Sequence, residues 1–299
     1  MRPPAGPRPR ARTTGALAVA IVNNMPDAAL RHTRRQFSDL VREAVAPRPV
    51  EVREYTLPGL RRSPEAAAYL ARNASPVSAL LQSAPDAVIV TGAEPVAARL
   101  EDETYFADLV RLLEWSAALP TQLLLSCLAA HAALLAIDGV RRERLPAKLS
   151  GVFDQDVDRS RPGDASLPAT VPLPHSRLND VPTERVRAAG YEVLVSSPET
   201  GWSIARGSIG RCEVLLSQGH PEYDGSSLLR EYRRDVERHL AGESPPPVLP
   251  SRCVAPGDEA HVGSFHRSLL EGRRPERLDL VLPVEELASR APRPWHAFS

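Results

Sequence analysis

The chain has 299 residues, of which 42% are hydrophobic and 25% charged, the balance of a globular protein with one large domain or two smaller ones. Lys plus Arg and Asp plus Glu number 37 each, so the formal net charge is zero, which argues against a dedicated nucleic-acid binder. No apolar run approaches the roughly 20 residues that cross a bilayer, and three cysteines without ligand spacing predict neither a disulfide framework nor a metal site.

Residues 1–14, "MRPPAGPRPRARTT", are rich in Pro and Arg and read as a disordered tail. The apolar run 16–22 that follows is short for a secretion signal and leads into "NNMP" instead of a small-residue cleavage site, so it reads as the first buried strand. A cytoplasmic location fits this reading and the free thiols. Further strands are expected at 50–56, 87–91, 122–126, 191–195 and 212–217, several of them apolar throughout, as strands covered on both faces are.

Helical stripes lie between these strands. Leu30, Phe37, Leu40, Val41 and Ala44 share one face of 27–45. Tyr105, Leu109, Leu112, Leu113 and Ala117 share one face of 102–118, and Leu228, Leu229, Tyr232, Val236 and Leu240 share one of 226–240. Strands alternating with helices predict an α/β, doubly wound, mostly parallel sheet flanked by helices. The Pro- and Asp-rich stretch 155–185 reads as an insertion or long loop. Residues 15–245 are taken as the α/β domain, and 246–299 as an extension of uncertain order with one short helix around 283–290.

The stretch "QLLLSCLAAHAALL" is a strand, a turn and a helix, with Cys127 at the turn. That position is the C-terminal edge of the sheet, where open α/β folds bind ligands, and also a helix N-terminus, where the macrodipole favours a thiolate. Ala129, Ala130, Ala132 and Ala133 let the helix pack close behind the turn. A thiol nucleophile needs a base, and the base an orienting group. His220 follows the strand 212–217, and Glu222 lies two residues on across Pro221, placed to hold the imidazole tautomer. His131 lies one helical turn behind the cysteine and reads as packed, while Cys212 reads as core. Lys148 is the only lysine among the 37 basic residues. Codon bias explains the arginines, but a position that keeps lysine suits a compact ammonium that a guanidinium does not imitate.

The motifs "VNNMPD", "DAVIVTGAE", "YFADLVRLLEWS", "AKLSGVFDQDV", "LPHSR" and "GHPEYDGSSLLREYRRDV" occur in this order. Over residues 16–240 the chain resembles the homoserine O-succinyltransferase family of the class I glutamine amidotransferase-like superfamily. The resemblance implies a homoserine O-acyltransferase of methionine biosynthesis. A succinyl or acetyl group would pass from acyl-CoA to the hydroxyl of L-homoserine through a Cys127 thioester, with His220 and Glu222 completing the catalytic set. No bound cofactor is implied, acyl-CoA being a co-substrate. The implied partners are small molecules and a second copy in a homodimer, with no nucleic acid or membrane.

The resemblance also implies Lys148, Ser176 and Arg234 as substrate-binding residues, Arg234 as a clamp for the amino acid's carboxylate. The N–H of Leu128 is the expected oxyanion donor, with another from the loop "TGAEPV". In the family a residue shortly after "TGA" is associated with the acyl donor, Gly with succinyl and Glu with acetyl. Val96 stands there in gapless register and Glu94 is close by. These departures leave room for serine or another hydroxy amino acid as acceptor. An amidase or hydrolase on the same scaffold, and a catalytically inactive binding module, are the other readings.

Overall fold

A computed structural model describes residues 15–161 and 166–291. The expected tail at 1–14 lies outside the described residues. The chain divides into two compact units, the first comprising Met1–Arg142, Val181–Leu194 and Trp202–Gln218, the second Glu143–Asp180, Val195–Gly201 and Gly219–Ser299. These boundaries do not coincide with the sequence division at residues 245 and 246.

In the first unit the strands are β1 (Leu17–Val22), β2 (Val50–Thr56), β3 (Ala74–Pro76), β4 (Ala87–Val90), β5 (Gln122–Ser126), β9 (Gly201–Ile209, from Trp202 on) and β10 (Cys212–Ser217). They run in the order β3-β2-β1-β4-β5-β10-β9, parallel except for the antiparallel β9–β10 pair. The helices are α1 (Leu30–Val45), α2 (Pro64–Asn73), α3 (Val77–Leu80), α4 (Phe106–Ala117), α5 (Leu128–Asp138) and α6 (Thr183–Ala188).

Alternation along β1 shows why the sheet is covered on both faces. Val19 and Ile21 pack with Phe37 of α1 and Ile89, whereas Ala20 and Val22 join Leu109, Leu112 and Leu134 of α4 and α5. Phe37 is fully buried, and its truncation to alanine would cost about 3–5 kcal/mol. Helix α2 begins where the sequence chemistry dictates, with Ser63 accepting the Ala66 N–H and Pro64 in the first turn. Helix α5 is apolar nearly all round and correspondingly buried.

The second unit holds an antiparallel pair, β6 (Glu143–Val157) and β7 (Thr170–Asp180), with the second half of β8 (Glu192–Ser197) paired to β6 through Asp156 and Val157. Residues 155–157 and 170–180 of the expected long loop are therefore strand. Pro172 and Pro174 hid it, since proline cannot donate to a ladder, but β7 lies on the outer side of β6, where such residues are tolerated. Beyond residue 246 the described chain is helical at α8 (Glu259–Leu270), α9 (Leu278–Val281) and α10 (Val284–Arg290), the last matching the expected short helix. Val262, Leu269, Leu282, Val284 and Leu287 pack with Leu228, Leu229, Tyr232 and Val236 of α7 (Ser227–Leu240) into this unit's own core.

Candidate active site

Strand β5 delivers Cys127 to the parallel sheet's C-terminal edge. Its backbone has φ 51° and ψ −112°, and among the described residues only Arg252 shares a positive φ without being glycine. A left-handed cysteine costs of order 1–3 kcal/mol, and such strain persists where a side chain must be presented at a sharp turn. Hydrogen bonds hold it there. The Cys127 N–H donates to Ser217 O of β10 at 2.6 Å, and the Cys127 carbonyl accepts from the Ala130 N–H at 3.0 Å, opening α5. The thiol is half-buried. Ala129, Ala130, Ala132 and Ala133 are all at most 1% exposed, as the close packing behind the turn requires. His131 is buried with Nε2 2.7 Å from Gln218 Oε1, a packed histidine as expected, and Cys212 is a core residue.

The "TGA" loop lies against this elbow. A Cβ placed on Gly92 would stand 3.5 Å from Leu128 N and 3.6 Å from the Cys127 Cβ, so the loop backbone passes close to the expected oxyanion donor. Beyond it, Val96 is 84% exposed and Glu94 is exposed. The backbone N–H groups of Val96 and Ala97 both donate to Oε1 of buried Glu103, at 2.7 and 2.8 Å. Nothing in the sequence separated Glu103 from the other acidic residues of "LEDETY". A cavity lined by Leu17, Asp86, Gln122 and Glu213 opens at the opposite strand ends, away from Cys127.

In the second unit, His220 Nδ1 lies 2.9 Å from Glu222 Oε1, both side chains being buried. The His220 N–H donates to Pro174 O of β7 at 2.9 Å, and the Tyr223 ring stacks on the imidazole with centroids 4.2 Å apart. Gly219 is required before it, because a side chain there would run into Leu173. The carboxylate thus orients the ring from one side and the phenol holds its plane.

Lys148, Ser176 and Arg234 converge on two carboxylates of α7. Lys148 Nζ donates to Asp235 Oδ2 at 2.7 Å and to Glu231 Oε2 at 3.4 Å. Ser176 and Tyr223 both donate their hydroxyl hydrogens to Glu231. Arg234 forks through Nε and Nη2 onto Asp235 Oδ1 at 3.1 and 2.9 Å. Burial pushes both acids up, but Lys148, Arg234 and, for Glu231, the two hydroxyls outweigh it and hold the carboxyls below their ordinary values. Glu231, Asp235 and Tyr223 went unnoticed in the sequence, since acids four apart on a helix look like a solvated face. The lone lysine was the signal pointing to them. Beside this cluster His175 accepts an Arg177 N–H on Nδ1 at 2.6 Å, and burial together with the Arg177 charge keeps that imidazole neutral, well below its ordinary value.

The family model for Homoserine O-succinyltransferase matches residues 7–256. A homoserine O-succinyltransferase of Methylorubrum extorquens is 45% identical over 279 residues, covering 93% of this chain and 82% of its own length. One from Rhodopseudomonas palustris is 43% identical, covering 78% and 70%, and one from Bradyrhizobium japonicum 40% identical, covering 94% and 86%. Among solved structures, a glutamine amidotransferase of Thermotoga maritima aligns with a TM-score of 0.46 at 12% identity, covering 92% of this chain and 99% of that one. A match across most of the chain, at these identities, means that the chain belongs to the homoserine O-succinyltransferase family.

Proposed function

We propose that the protein is a homoserine O-acyltransferase that carries the acyl group on Cys127. The observation that carries this reading is the strained left-handed Cys127 at the head of α5, a conformation that the fold maintains at a cost and that presents the sulfur. Family membership supports the substrate class.

The reaction follows from the groups. His220 takes the Cys127 proton, and Sγ bonds to the acyl carbon of an acyl-CoA, succinyl or acetyl. The bond from that carbon to the CoA sulfur breaks, and the departing thiolate leaves as the thiol with the proton from His220. Neutral His220 then removes the hydroxyl proton of homoserine. The hydroxyl oxygen bonds to the acyl carbon, the bond to Sγ breaks, and the thiolate returns. Glu222 holds the imidazole in the tautomer this needs and stabilises the imidazolium. The N–H of Leu128 and the Gly92 loop are suited to the oxyanion. Thioester and ester acyl groups are close enough in energy that neither step faces a large uphill exchange.

The mixed cluster in the second unit suits a zwitterionic acceptor. Arg234 and Lys148 offer cations for its carboxylate, and Glu231 and Asp235 offer anions for its ammonium. The test is steady-state release of CoA, beyond the one equivalent per enzyme set free when Cys127 is acylated, in the presence of homoserine, serine or neither. Homoserine-dependent release with O-acylhomoserine as product supports the proposal, and release that is independent of any amino acid contradicts it.

A further inference from the structure

Tyr223 touches the base and the acceptor cluster at the same time. Its ring stacks on the His220 imidazole, with centroids 4.2 Å apart and planes 19° from parallel. Its hydroxyl donates to Oε1 of Glu231 on α7. Both contacts lie within the second unit. The backbone folds the ring onto the imidazole: the Tyr223 N–H donates to the His220 carbonyl at 3.1 Å and closes a four-residue turn with Pro221 in its second position. Proline fixes φ there, so the turn has little freedom. The side chain is buried.

Glu231 is braced at both oxygens. Ser176 of β7 donates to Oε2, and Lys148 of β6 reaches the same oxygen at 3.4 Å, whereas Oε1 takes the phenol. Stacking on His220 alone would be served by phenylalanine, and a hydrogen bond to Glu231 alone by any hydroxyl within reach. Tyrosine does both through a rigid ring with only two side-chain torsions. The hydroxyl meets a carboxylate, so the hydrogen bond is of the stronger, charge-assisted kind.

We propose that Tyr223 is a positioning residue that sets the acceptor's length: a strut from His220 to Glu231 that fixes the distance between the base and the ammonium anchor, and so admits homoserine over serine. The inference deepens the acyl-transfer reading and rests on it. In that reading Glu231 meets the acceptor's ammonium while His220 removes the proton from its hydroxyl. The chain between nitrogen and hydroxyl must therefore span the two groups. Serine is one methylene shorter, and with its ammonium on Glu231 its hydroxyl falls short of a base that the strut does not let follow. A misplacement of about 1 Å costs on the order of 100-fold in rate.

The experiment uses the full-length wild type, Tyr223→Phe and Tyr223→Leu. Each is loaded from succinyl-CoA or acetyl-CoA while the burst of CoA is followed without acceptor, and discharge of the acyl-enzyme by homoserine and by serine is then timed. Wild type discharges faster to homoserine. Tyr223→Phe keeps the stack and loses the hydroxyl. Its discharge by homoserine slows about 10-fold, while its CoA burst and its discharge by serine change far less, so the homoserine-to-serine ratio falls about 10-fold. Tyr223→Leu also frees the imidazole plane, so its CoA burst slows together with discharge. The conservative Tyr223→Phe decides the matter if the leucine variant does not fold. A wild type faster with serine, an unchanged acceptor ratio in Tyr223→Phe, or a burst slowed there as much as discharge overturns the strut while leaving acyl transfer intact. Absence of an acyl-enzyme in the wild type with either donor overturns the underlying reading itself.

Discussion

Lys148 Nζ lies 2.7 Å from Asp235 Oδ2 and 3.4 Å from Glu231 Oε2, and it is the one lysine in a chain that otherwise uses arginine. A point-like ammonium can serve two acids on one face of α7 at once. A guanidinium of fixed planar fork meets one well and displaces the other. Lys148→Arg should therefore lower kcat/KM for homoserine about 10-fold despite equal charge, as initial rates across an acceptor titration would show. Wild-type values would return the lysine to chance.

The same pair makes a pH prediction. Asp235 and Glu231 are held below their ordinary values in the folded chain. A carboxyl whose folded pKa lies below its unfolded value contributes stability above the unfolded value, and loses it as pH falls through the folded one. Stability should therefore drop below about pH 4, where unfolded carboxyls take up protons first. Lys148→Gln removes the cation that both acids face and should cost about 1–2 kcal/mol at pH 7, with a smaller further loss on acidification. Thermal unfolding of both proteins at pH 7 and below pH 4 measures this. Parallel curves, offset equally at both pH values, would contradict it.

Glu103 gathers two consecutive amides of the loop beside the nucleophile. Glu103→Ala frees that loop and should raise the KM for acyl-CoA about 10-fold, through loss of two charge-assisted hydrogen bonds. Glu103→Gln keeps an accepting oxygen and should retain most of the affinity. Equal effects of the two substitutions would mean that charge, not loop anchoring, is what Glu103 supplies.

Cys127 should show stability traded for presentation of its sulfur. Glycine adopts a positive φ without a Cβ penalty, so Cys127→Gly should be inactive yet more stable by about 1 kcal/mol in denaturant unfolding. A less stable variant would mean that the turn is not strained as its dihedrals indicate.

The parts that could be read from residues alone were those governed by one strong pattern. The run "QLLLS" is apolar throughout because β5 is covered on both faces, and the cysteine after it could be placed at the sheet edge for that reason. The contact between His220 and Glu222 was legible through local spacing. Strands β6, β7 and β9 were not. Pro172, Pro174, Gly201 and Gly207 break the usual strand signature, and antiparallel pairing supplies the hydrogen bonds that composition does not announce. Helices α8 and α9 were obscured by the proline and glycine around them, although Val262 and Leu282 are all but fully buried. Glu103 carries no pattern of its own, being one glutamate whose meaning comes only from the loop amides that surround it.

The central claim is that one sulfur holds the acyl group between donor and acceptor. Intact-protein mass spectrometry of the full chain, mixed with succinyl-CoA or acetyl-CoA and then with homoserine, tests it most directly. The account predicts a single acyl adduct on the peptide carrying Cys127, its discharge by homoserine, and no adduct on Cys127→Ala. An adduct that persists in Cys127→Ala, or one on the wild type that homoserine leaves in place, would contradict it.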